Sequence, residues 1–460
     1  MRYCTALVLA VLCAAGPASA TTYTVSTNGS DNNNGTTAPF RTLQKAVSAI
    51  RDGDTIVLTA GTYTAGAYIT RRNITVRGVG EVTLDGSGAS RDDGLSFFQT
   101  SGITIEGIRI RNARRKGLFI TLSQGVTVRN CEFVNNTKDG FLTGNVSDVL
   151  VENCLFQNNG YHGLYLSQSG DRYRVIRNTF TGNAAAGIQI NAIQSGANAS
   201  DPASDGRSRD CVIEGNTITG CGSLGGAALN MMGVQDSLIV NNLLVNNLAG
   251  GIAMWDDGAG STYACKNNRI YHNTVLFQQG KGRFALQCLA GCTGNEIYNN
   301  ILACGSGPAL DVKTTVRSNY NCLSGGSIAN GSTLASWRNS TGNDLNSIQG
   351  VPALTGNYRP AAGSAARDAG YQVYGTDKDG RLRPQGPNPD LGCFEEPYGG
   401  SGGSDGSGAA APSAPSGLHA SAGDGRVTLT WSAASGGVSG YHVYRSNSQS
   451  GTYSRRTGSA

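Results

Sequence analysis

A repeat of about 23 residues constrains this sequence more than any other feature. Each repeat carries a glycine followed by three residues of a strand-like pattern, at Gly117, Gly140 and Gly163, and again at Gly187, 24 residues later. One repeat has room for three short strands separated by Asn/Gly turns. A unit this small cannot bury its apolar face alone, so we expect successive units to stack into one continuous core.

An asparagine recurs at a second position of the repeat, two residues before an apolar residue. The asparagines of this register are Asn178, Asn216, Asn242, Asn273 and Asn300. Stacking would place them in one line, so they predict an internal ladder of amides that bonds each turn to the next. Cys131 and Cys154 hold the same position in two earlier repeats, where neighbouring turns allow either a disulfide or two stacked thiols.

The repeat predicts an all-β fold class. Composition agrees, because 66 glycines and only 15% charged residues are typical of a chain with many turns and few helices. Parallel crossovers are right-handed in nearly all proteins, so we expect residues 21–396 to form a right-handed parallel β-helix of about ten rungs. Apolar residues at helical spacing in residues 39–50 predict an N-terminal capping helix over the first rung.

Residues 1–20 have the features of a secretory signal peptide: Arg2, a short apolar run and an Ala-Ser-Ala cleavage site. The apolar run is too short to span a bilayer, and no later segment reaches the roughly 20 apolar residues that a spanning helix needs. We therefore predict a secreted protein, extracellular or periplasmic, with no membrane partner. Cysteines beyond the signal are compatible with an oxidising compartment.

Beyond the repeats the composition changes to a Gly/Ser/Pro-rich linker at residues 397–415. Residues 416–460 then resemble the first strands of a fibronectin type III module, with Val427-Thr-Leu-Thr-Trp431 as one strand. Such a module is a two-sheet sandwich of about 100 residues. We therefore predict a truncated β-sandwich module after the linker.

Two stretches carry a family resemblance. Residues 22–36, with Pro39-Phe-Arg-Thr-Leu43 after them, resemble the opening of secreted β-helix polysaccharide lyases. Asn135-Asn-Thr-Lys-Asp-Gly-Phe141, followed one turn later by Tyr161-His-Gly-Leu164, resembles the catalytic stretch of mannuronan epimerases, whose motifs are DGF and RHGF. The resemblance implies a right-handed β-helix that acts on an acidic sugar polymer.

The epimerase resemblance also implies site residues. Its catalytic aspartate falls on Asp139 and its rung histidine on His162. The arginine of its RHGF motif is Tyr161 in this chain. Its DPH motif, one turn earlier, corresponds to Arg114-Arg-Lys116.

Spacing alone also groups these residues, because Lys116, Asp139 and His162 each precede a rung glycine at steps of 23 and 23 residues. On a solenoid they should form one column, roughly 5 Å apart. Cleavage of a uronate by elimination needs a partner for the carboxylate, a base and an acid. Lys116 with Arg115 can supply charge or a base, and Tyr161 and His162 a base or an acid. The Asp139 carboxylate should raise the pKa of His162.

Further residues suit sugar binding. Tyr165, Gln189 and Asn230 fall on outward positions of the same strand series, and Trp255 offers an aromatic platform. The pair that follows, Asp256-Asp257, suits either a calcium site or the acid pair of a glycoside hydrolase.

Together these patterns predict a secreted carbohydrate-active enzyme, a polysaccharide lyase that cleaves a uronate-containing polymer by β-elimination. The partner would be an acidic polysaccharide, and the protein a monomer. The net charge of +5 is too small to indicate nucleic acid binding. Three alternatives stay open: a glycoside hydrolase using Asp pairs, a non-catalytic glycan-binding or surface solenoid, and an epimerase of the alginate type.

Overall fold

The chain folds as a right-handed parallel β-helix of about 12 turns, two more than the sequence predicts. The computed structural model describes residues 20–192, 205–256, 258, 260–371, 375–397, 416–423, 426–432, 444–445 and 454–455. Its main sheet has 31 parallel strands. The all-β prediction is confirmed.

The strands form three faces, which we call sheets 1, 2 and 3. Leu118–Arg129 and Phe141–Glu152 bend at a corner and contribute to sheets 1 and 2, whereas Thr55–Thr64 and Thr75–Asp85 contribute to sheets 2 and 3. The other strands of sheet 1 are Ala67–Ile69, Leu95–Phe98, Leu164–Ser167, Ile188–Asn191, Ala227–Met232, Gly250–Trp255, Leu286–Cys288, Pro308–Val312 and Ser327–Ala329. The other strands of sheet 2 are Thr22–Val25, Ser101–Glu106, Arg174–Ile176, Val212–Glu214, Leu238–Val240, Arg269–Tyr271, Glu296–Tyr298 and Arg317–Asn319. The other strands of sheet 3 are Arg109–Arg111, Glu132–Val134, Leu155–Gln157, Thr179–Thr181, Thr217–Thr219, Leu243–Val245, Thr274–Leu276, Ile301–Ala303, Cys322–Ser324 and Ile348–Gln349.

A few short elements complete the described structure. The helices are Leu43–Ala49 and Leu334–Thr341, with a 3-10 turn at Ser261–Tyr263. The small two-stranded pairings are Ser208–Arg209 with Val234–Gln235, Gly375–Thr376 with Leu382–Arg383, Ser416–Gly423 with Arg426–Ser432, and Tyr444–Arg445 with Ser454–Arg455. No helix in the described part of the chain has the length and apolarity needed to cross a membrane.

The predicted asparagine ladder runs along the interior. Asn178 donates its backbone N–H to Asn216 Oδ1 (2.9 Å) and its side-chain amide to the same oxygen (3.1 Å). The same pair of bonds links Asn216 to Asn242, Asn242 to Asn273, and Asn273 to Asn300. All five side chains are buried. Each amide is therefore satisfied by its neighbours in a core where an unpaired polar group would be costly.

Two further ladders were not predicted. One runs through Asn136, Asn159 and Asn183, and another through Ser237, Asn268 and Asn295. The sequence signal was the repeated Asn-Asn pair. Asn135 adopts the left-handed conformation (φ 55°) that turns the chain, and the following Asn136 then points inward.

The capping helix is confirmed at the N-terminal end. Thr42 caps it by accepting the Lys45 N–H at its side-chain oxygen (3.2 Å). Leu43 and Ala46 are buried against the first rung together with Phe40. The cap covers strand edges that would otherwise be open to pairing with other chains.

Cys131 and Cys154 occupy adjacent turns as expected, and both are free, buried thiols. Cys154 also joins the asparagine ladder, because its backbone N–H donates to Asn178 Oδ1 (2.9 Å). Of the two alternatives for this pair, the structure contains the stacked thiols.

The chain ends fall largely outside the described residues. Residues 1–19 of the predicted signal and residues 398–415 of the predicted linker are not described. Within the predicted type III module, Ser416–Gly423 and Arg426–Ser432 pair as an antiparallel hairpin. The assignment of the module remains a prediction.

The ladder can be tested by replacing Asn242 with alanine. The substitution leaves Ile213 O and Asn216 N–H without their partner in the core. Each such group costs about 1–3 kcal/mol, so the free energy of unfolding in urea should fall by several kcal/mol. Asn32→Ala, at an exposed turn, is the control and should change it by about 0.5 kcal/mol or less. Equal effects of the two substitutions would contradict a stabilising ladder.

The tail prediction concerns everything after Glu396. This residue still belongs to the β-helix, because its carboxylate pairs with Arg359 Nη1 at 2.7 Å. A chain that stops at Glu396 should therefore melt at nearly the same temperature as the full chain. A large fall in the melting temperature, measured by circular dichroism, would show that the tail packs on the solenoid.

Candidate functional site

Sheet 1 carries two parallel rows of outward side chains. Strand register aligns the first row through Tyr68, Ser96, Phe119, Leu142, Tyr165, Gln189, Asn230, Ala253, Gln287 and Asp311. The second row runs through Phe98, Thr121, Gly144, Ser167, Asn191, Met232 and Trp255. Sheet 1 therefore presents a long strip of aromatic, hydroxyl and amide groups.

A cleft of about 270 Å³ opens over this strip, and we call it the His162 cleft. It brings together six residues that the sequence singled out. They are Tyr161, His162, Tyr165, Gln189, Asn230 and Trp255. Sequence reasoning missed the remaining lining residues, which are Ala185, Ala186, Asn191 and the wall formed by Leu224, Gly225 and Gly226.

The column beside the cleft has the predicted register. Gly117 N–H donates to Asp139 O, and Gly140 N–H donates to His162 O, both at 3.0 Å. Lys116, Asp139 and His162 therefore lie on consecutive turns. All three side chains are buried, with exposed fractions of 7%, 4% and 7%. The column is thus not an ordinary solvated surface.

Backbone capping explains why these polar side chains are buried. Asp139 Oδ1 accepts the N–H of His162 (3.2 Å), and His162 Nδ1 accepts the N–H of Ala186 (3.1 Å). Asp93, on the turn before Lys116, accepts the N–H of Lys116 at its Oδ1 (3.2 Å). Each acceptor thus satisfies a turn N–H on the next rung. Lys116 has no acceptor atom, and its Nζ lies 3.9 Å from the centre of the Phe119 ring.

The prediction that Asp139 raises the pKa of His162 is wrong. Burial lowers the pKa of His162 from 6.5 to about 4, because the imidazolium loses its hydration. Asp139 directs its Oδ1 at the backbone N–H of His162. With Nδ1 accepting a backbone bond, the neutral ring carries its proton on Nε2. His162 is therefore a neutral hydrogen-bond donor near pH 7.

Burial shifts the other two members of the column as well. It raises the pKa of Asp139 from 3.8 to about 6, although the backbone bond from His162 and the nearby Lys116 charge oppose the shift. Burial also lowers the pKa of Lys116, and the neighbouring Arg115 charge adds to this effect. Three titratable groups with perturbed pKa values beside a cleft are typical of a functional site.

Two tyrosines flank His162 at the cleft. The ring centroid of His162 lies 4.3 Å from that of Tyr161 and 4.9 Å from that of Tyr165, both with edge-to-face geometry. Tyr161 is 42% exposed and forms the rim. Tyr165 is half-buried, and burial raises the pKa of its phenol. Both tyrosines are placed to contact a bound molecule beside the imidazole.

The far side of the cleft offers amides and an indole. Asn230 Nδ2 donates to Gln189 Oε1 (2.9 Å), which orients both side chains. Asn191 Oδ1 and Trp255 Nε1 are buried and have no hydrogen-bond partner among the residues that the structure describes. Buried polar atoms without a partner are rare in proteins. Asn191 Oδ1 therefore offers an acceptor, and Trp255 Nε1 a donor, to a ligand bound in the cleft.

Arg115 lies apart from the His162 cleft. Its half-exposed side chain is 3.9 Å from Asp93 and lines a second cleft, which we call the Tyr68 cleft. Lys116 lies on the same rung, with its amine over Phe119 of that second cleft.

The calcium hypothesis finds no support. Asp257 lies outside the described residues. Asp256 accepts the Gly258 N–H at Oδ1 (3.1 Å). Within the described ranges, no group of three or more His, Cys, Asp or Glu side chains could hold a metal ion.

Two family matches divide the β-helix. Residues 61–201 match the family described as "Right handed beta helix region", and residues 203–359 match the family described as "Periplasmic copper-binding protein (NosD)". The search of curated proteins gives no match.

Solved structures share the fold at low sequence identity. Pectate lyase Pel9A matches with a TM-score of 0.53 and 16% identity, over 81% of this chain and 96% of that one. Others include PfbA, a surface adhesin of Streptococcus pneumoniae (TM-score 0.46, 12% identity, 61% and 80% coverage), and an alginate lyase from Paenibacillus sp. str. FPU-7 (0.38, 16%, 67% and 95%). The likeness to pectate lyase Pel9A shows the fold alone.

Copper binding by this chain finds no direct support in the described residues. Copper takes thiolate, thioether or imidazole ligands. Burial raises the pKa of Cys211 and of Cys322 to about 12, whereas contacts with Cys265 and Cys288 lower the pKa of Cys292. His272 is buried with Nε2 bonded to Asn299, and the described part of residues 203–359 has no metal-binding group of three such side chains.

Asp139→Asn tests the raised pKa of the buried carboxyl. Between about pH 4 and pH 6 the folded chain holds a proton on Asp139 that the unfolded chain releases, so the free energy of unfolding falls as pH rises. Asparagine keeps the oxygen that accepts the His162 N–H but does not titrate. As the pH rises across this range, the free energy of unfolding of the variant should therefore increase relative to that of the parent, by up to about 3 kcal/mol.

The measurement is urea unfolding of both proteins at pH 4, 5, 6 and 7. Titration of His162 contributes in the opposite direction in both proteins, so it largely cancels in the difference. A difference that does not change with pH would show that Asp139 titrates normally.

Proposed function

We propose that this protein is a secreted carbohydrate-active enzyme that cleaves a uronate-containing polysaccharide by β-elimination. The observation that carries the proposal is the buried column of Lys116, Asp139 and His162 at the edge of sheet 1. An amine, a carboxyl and an imidazole with shifted pKa values meet there beside a cleft lined by sugar-compatible groups. Pectate lyase Pel9A has the same fold, so the fold accommodates a lyase.

Substrate binding falls on the His162 cleft. Tyr161 and Tyr165 offer aromatic faces for a sugar ring. The unpartnered Asn191 Oδ1 and Trp255 Nε1 suit a sugar hydroxyl, which both donates and accepts. The Gln189–Asn230 pair adds a fixed amide pair beside them. These groups suit the hydroxyl groups and ring faces of a carbohydrate better than a protein or a lipid.

The elimination needs three events. A base takes the proton from carbon five of the uronate, the C–H electron pair forms the double bond between carbons four and five, and the bond from carbon four to the glycosidic oxygen breaks. The departing oxygen takes a proton from an acid. The uronate carboxylate must be neutralised for the first event, because it carries the developing negative charge.

We assign these tasks to the residues of the column as follows. Lys116 is the base, because burial lowers its pKa and so increases its neutral fraction. His162 donates from Nε2 to the uronate carboxylate, and Arg115 adds a positive charge nearby. Tyr161 at the rim protonates the leaving oxygen. Asp139 is a positioning residue that holds the His162 backbone.

Glycoside hydrolysis is a second candidate. Asp93 and Asp139 lie two rungs apart in one column, about 9–10 Å at the spacing of stacked strands. Inverting glycosidases hold their two carboxyl groups about 6.5–9.5 Å apart. The raised pKa of Asp139 would suit the general acid. Asp93 is engaged with the Lys116 N–H and with Arg115, which makes this reading second to elimination.

One assay separates the candidates. The full chain is incubated with alginate, pectate and glycosaminoglycans, and absorbance of an unsaturated uronyl product is followed in the ultraviolet. We expect absorbance to rise with at least one polymer. New reducing ends without ultraviolet absorbance would indicate a hydrolase instead. An inverted sugar in an uncleaved polymer, detected by NMR, would indicate an epimerase.

Two variants test the column on the polymer that is cleaved. Lys116→Ala removes the base, and His162→Asn keeps an oxygen near the Ala186 N–H while removing Nε2. Each should cut turnover by about 100-fold or more. Because both side chains are buried, the melting temperature of each variant must be measured as well. Lys138→Ala, at an exposed position of the same turn, is the matched control.

The pH profile gives a further readout. Turnover should rise with pH as Lys116 loses its proton, and this limb should vanish in Lys116→Ala. Near-normal turnover of folded Lys116→Ala and His162→Asn would remove the column from the mechanism. The search for the reaction centre would then move to Trp255 and Asp256.

A further inference from the structure

The Tyr68 cleft is a second concave site on sheet 1, and of its lining residues only Arg115 has a task in the proposed elimination. Its volume is about 340 Å³. It lies toward the N-terminal end of the solenoid, on the same two rows of side chains as the His162 cleft. Its lining is different, because it combines aromatic rings with charged groups. The residues are Tyr68, Ser90, Arg91, Asp92, Asp93, Ser96, Phe97, Phe98, Arg115, Phe119 and Thr121.

An aromatic floor runs through this cleft. The rings of Tyr68 and Phe98 are stacked with centroids 6.5 Å apart and planes tilted by 26°. Tyr68 is 38% exposed, so part of its ring is open to a ligand beside Phe98 and Arg91. Phe119 continues the row on the next turn. Aromatic faces of this kind suit the apolar face of a sugar ring.

Most charged side chains around this floor are paired with each other, but Arg91 is not. Asp92 pairs with Arg114 (2.8 Å), and Asp93 is near Arg115 (3.9 Å) and accepts the Lys116 N–H. Arg91 is exposed, and its guanidinium lies 4.8 Å from the centre of the Tyr68 ring. It forms no ion pair with any residue of the described ranges. A guanidinium held over an aromatic ring is well placed to bind a carboxylate.

We propose that the Tyr68 cleft is a remote subsite that binds one uronate of the polymer, with its ring on Tyr68 and its carboxylate on Arg91. The inference rests on the proposed function and extends it to the substrate. Four steps of the first row separate Tyr68 from Tyr165, about 19 Å at the spacing of parallel strands. The column of Lys116 and Asp139 flanks the rungs between them.

A glycan that fills both clefts therefore passes the reaction column along its length. The floor between the clefts consists of Leu142 and of Gly144, which has no side chain. The enzyme should thus act inside long chains and bind them better than short ones. Arg91 makes the remote subsite selective for acidic sugars.

Binding to the full chain in the His162→Asn background tests the subsite. The probes are hexagalacturonate, hexamannuronate, the matching trisaccharides and the carboxyl-reduced hexasaccharides, and the method is isothermal titration calorimetry. Arg91→Ala should weaken binding of the preferred hexauronate about tenfold or more, and Tyr68→Ala should do the same. Neither should change binding of the trisaccharide. Arg77→Ala, an exposed strand arginine on sheet 2, is the control.

The outcomes separate the two proposals. If the hexauronate and its carboxyl-reduced form respond equally to Arg91→Ala, or if Arg77→Ala has the same effect, the acidic subsite is wrong even when cleavage is observed. Failure of every probe to bind would also overturn it. Length-dependent, Arg91-dependent binding without any unsaturated product would support the subsite while the elimination reaction fails.

Discussion

The stacking of one turn on the next, enforced by buried side-chain amides, is the constraint on which the rest of this structure depends. Each asparagine of the ladder donates both its backbone N–H and its side-chain amide to the side-chain oxygen of the asparagine on the next turn. A shift of one residue would leave these polar atoms unpaired in a dry core, at a cost of about 1–3 kcal/mol for each group. The ladder therefore fixes the register of every strand, including those that carry the site.

A fixed register turns equal spacing in sequence into a column in space. The position before each rung glycine is one such column, and its backbone N–H groups need acceptors. Asp139 and His162 meet that need and are buried as a result. The same burial disfavours the charged form of each group, so it raises the pKa of Asp139 and lowers the pKa of His162. In this column, burial accompanies the structural role of Asp139 and His162 and also shifts their pKa values.

The two clefts show how a regular scaffold acquires different sites. Both use the same two rows of sheet 1, but the His162 cleft presents amides, an indole and unpartnered polar atoms. The Tyr68 cleft presents stacked rings and a guanidinium without an ion-pair partner in the described residues. Differences between single residues at equivalent positions therefore set the chemistry. The long polymer that we propose as substrate would extend along such a strip over several turns.

The sequence by itself determined the solenoid, the main asparagine ladder, the capping helix and the column of Lys116, Asp139 and His162, because all of these follow from a period that a solenoid converts directly into position. It also identified half of the residues that line the His162 cleft, since outward residues alternate along a strand. Only the tertiary structure decided the pKa of His162, the unpartnered atoms of Asn191 and Trp255, and the pairing of Tyr68 with Arg91. These depend on burial and on side-chain direction across turns, where desolvation outweighs the neighbouring charge that spacing suggested.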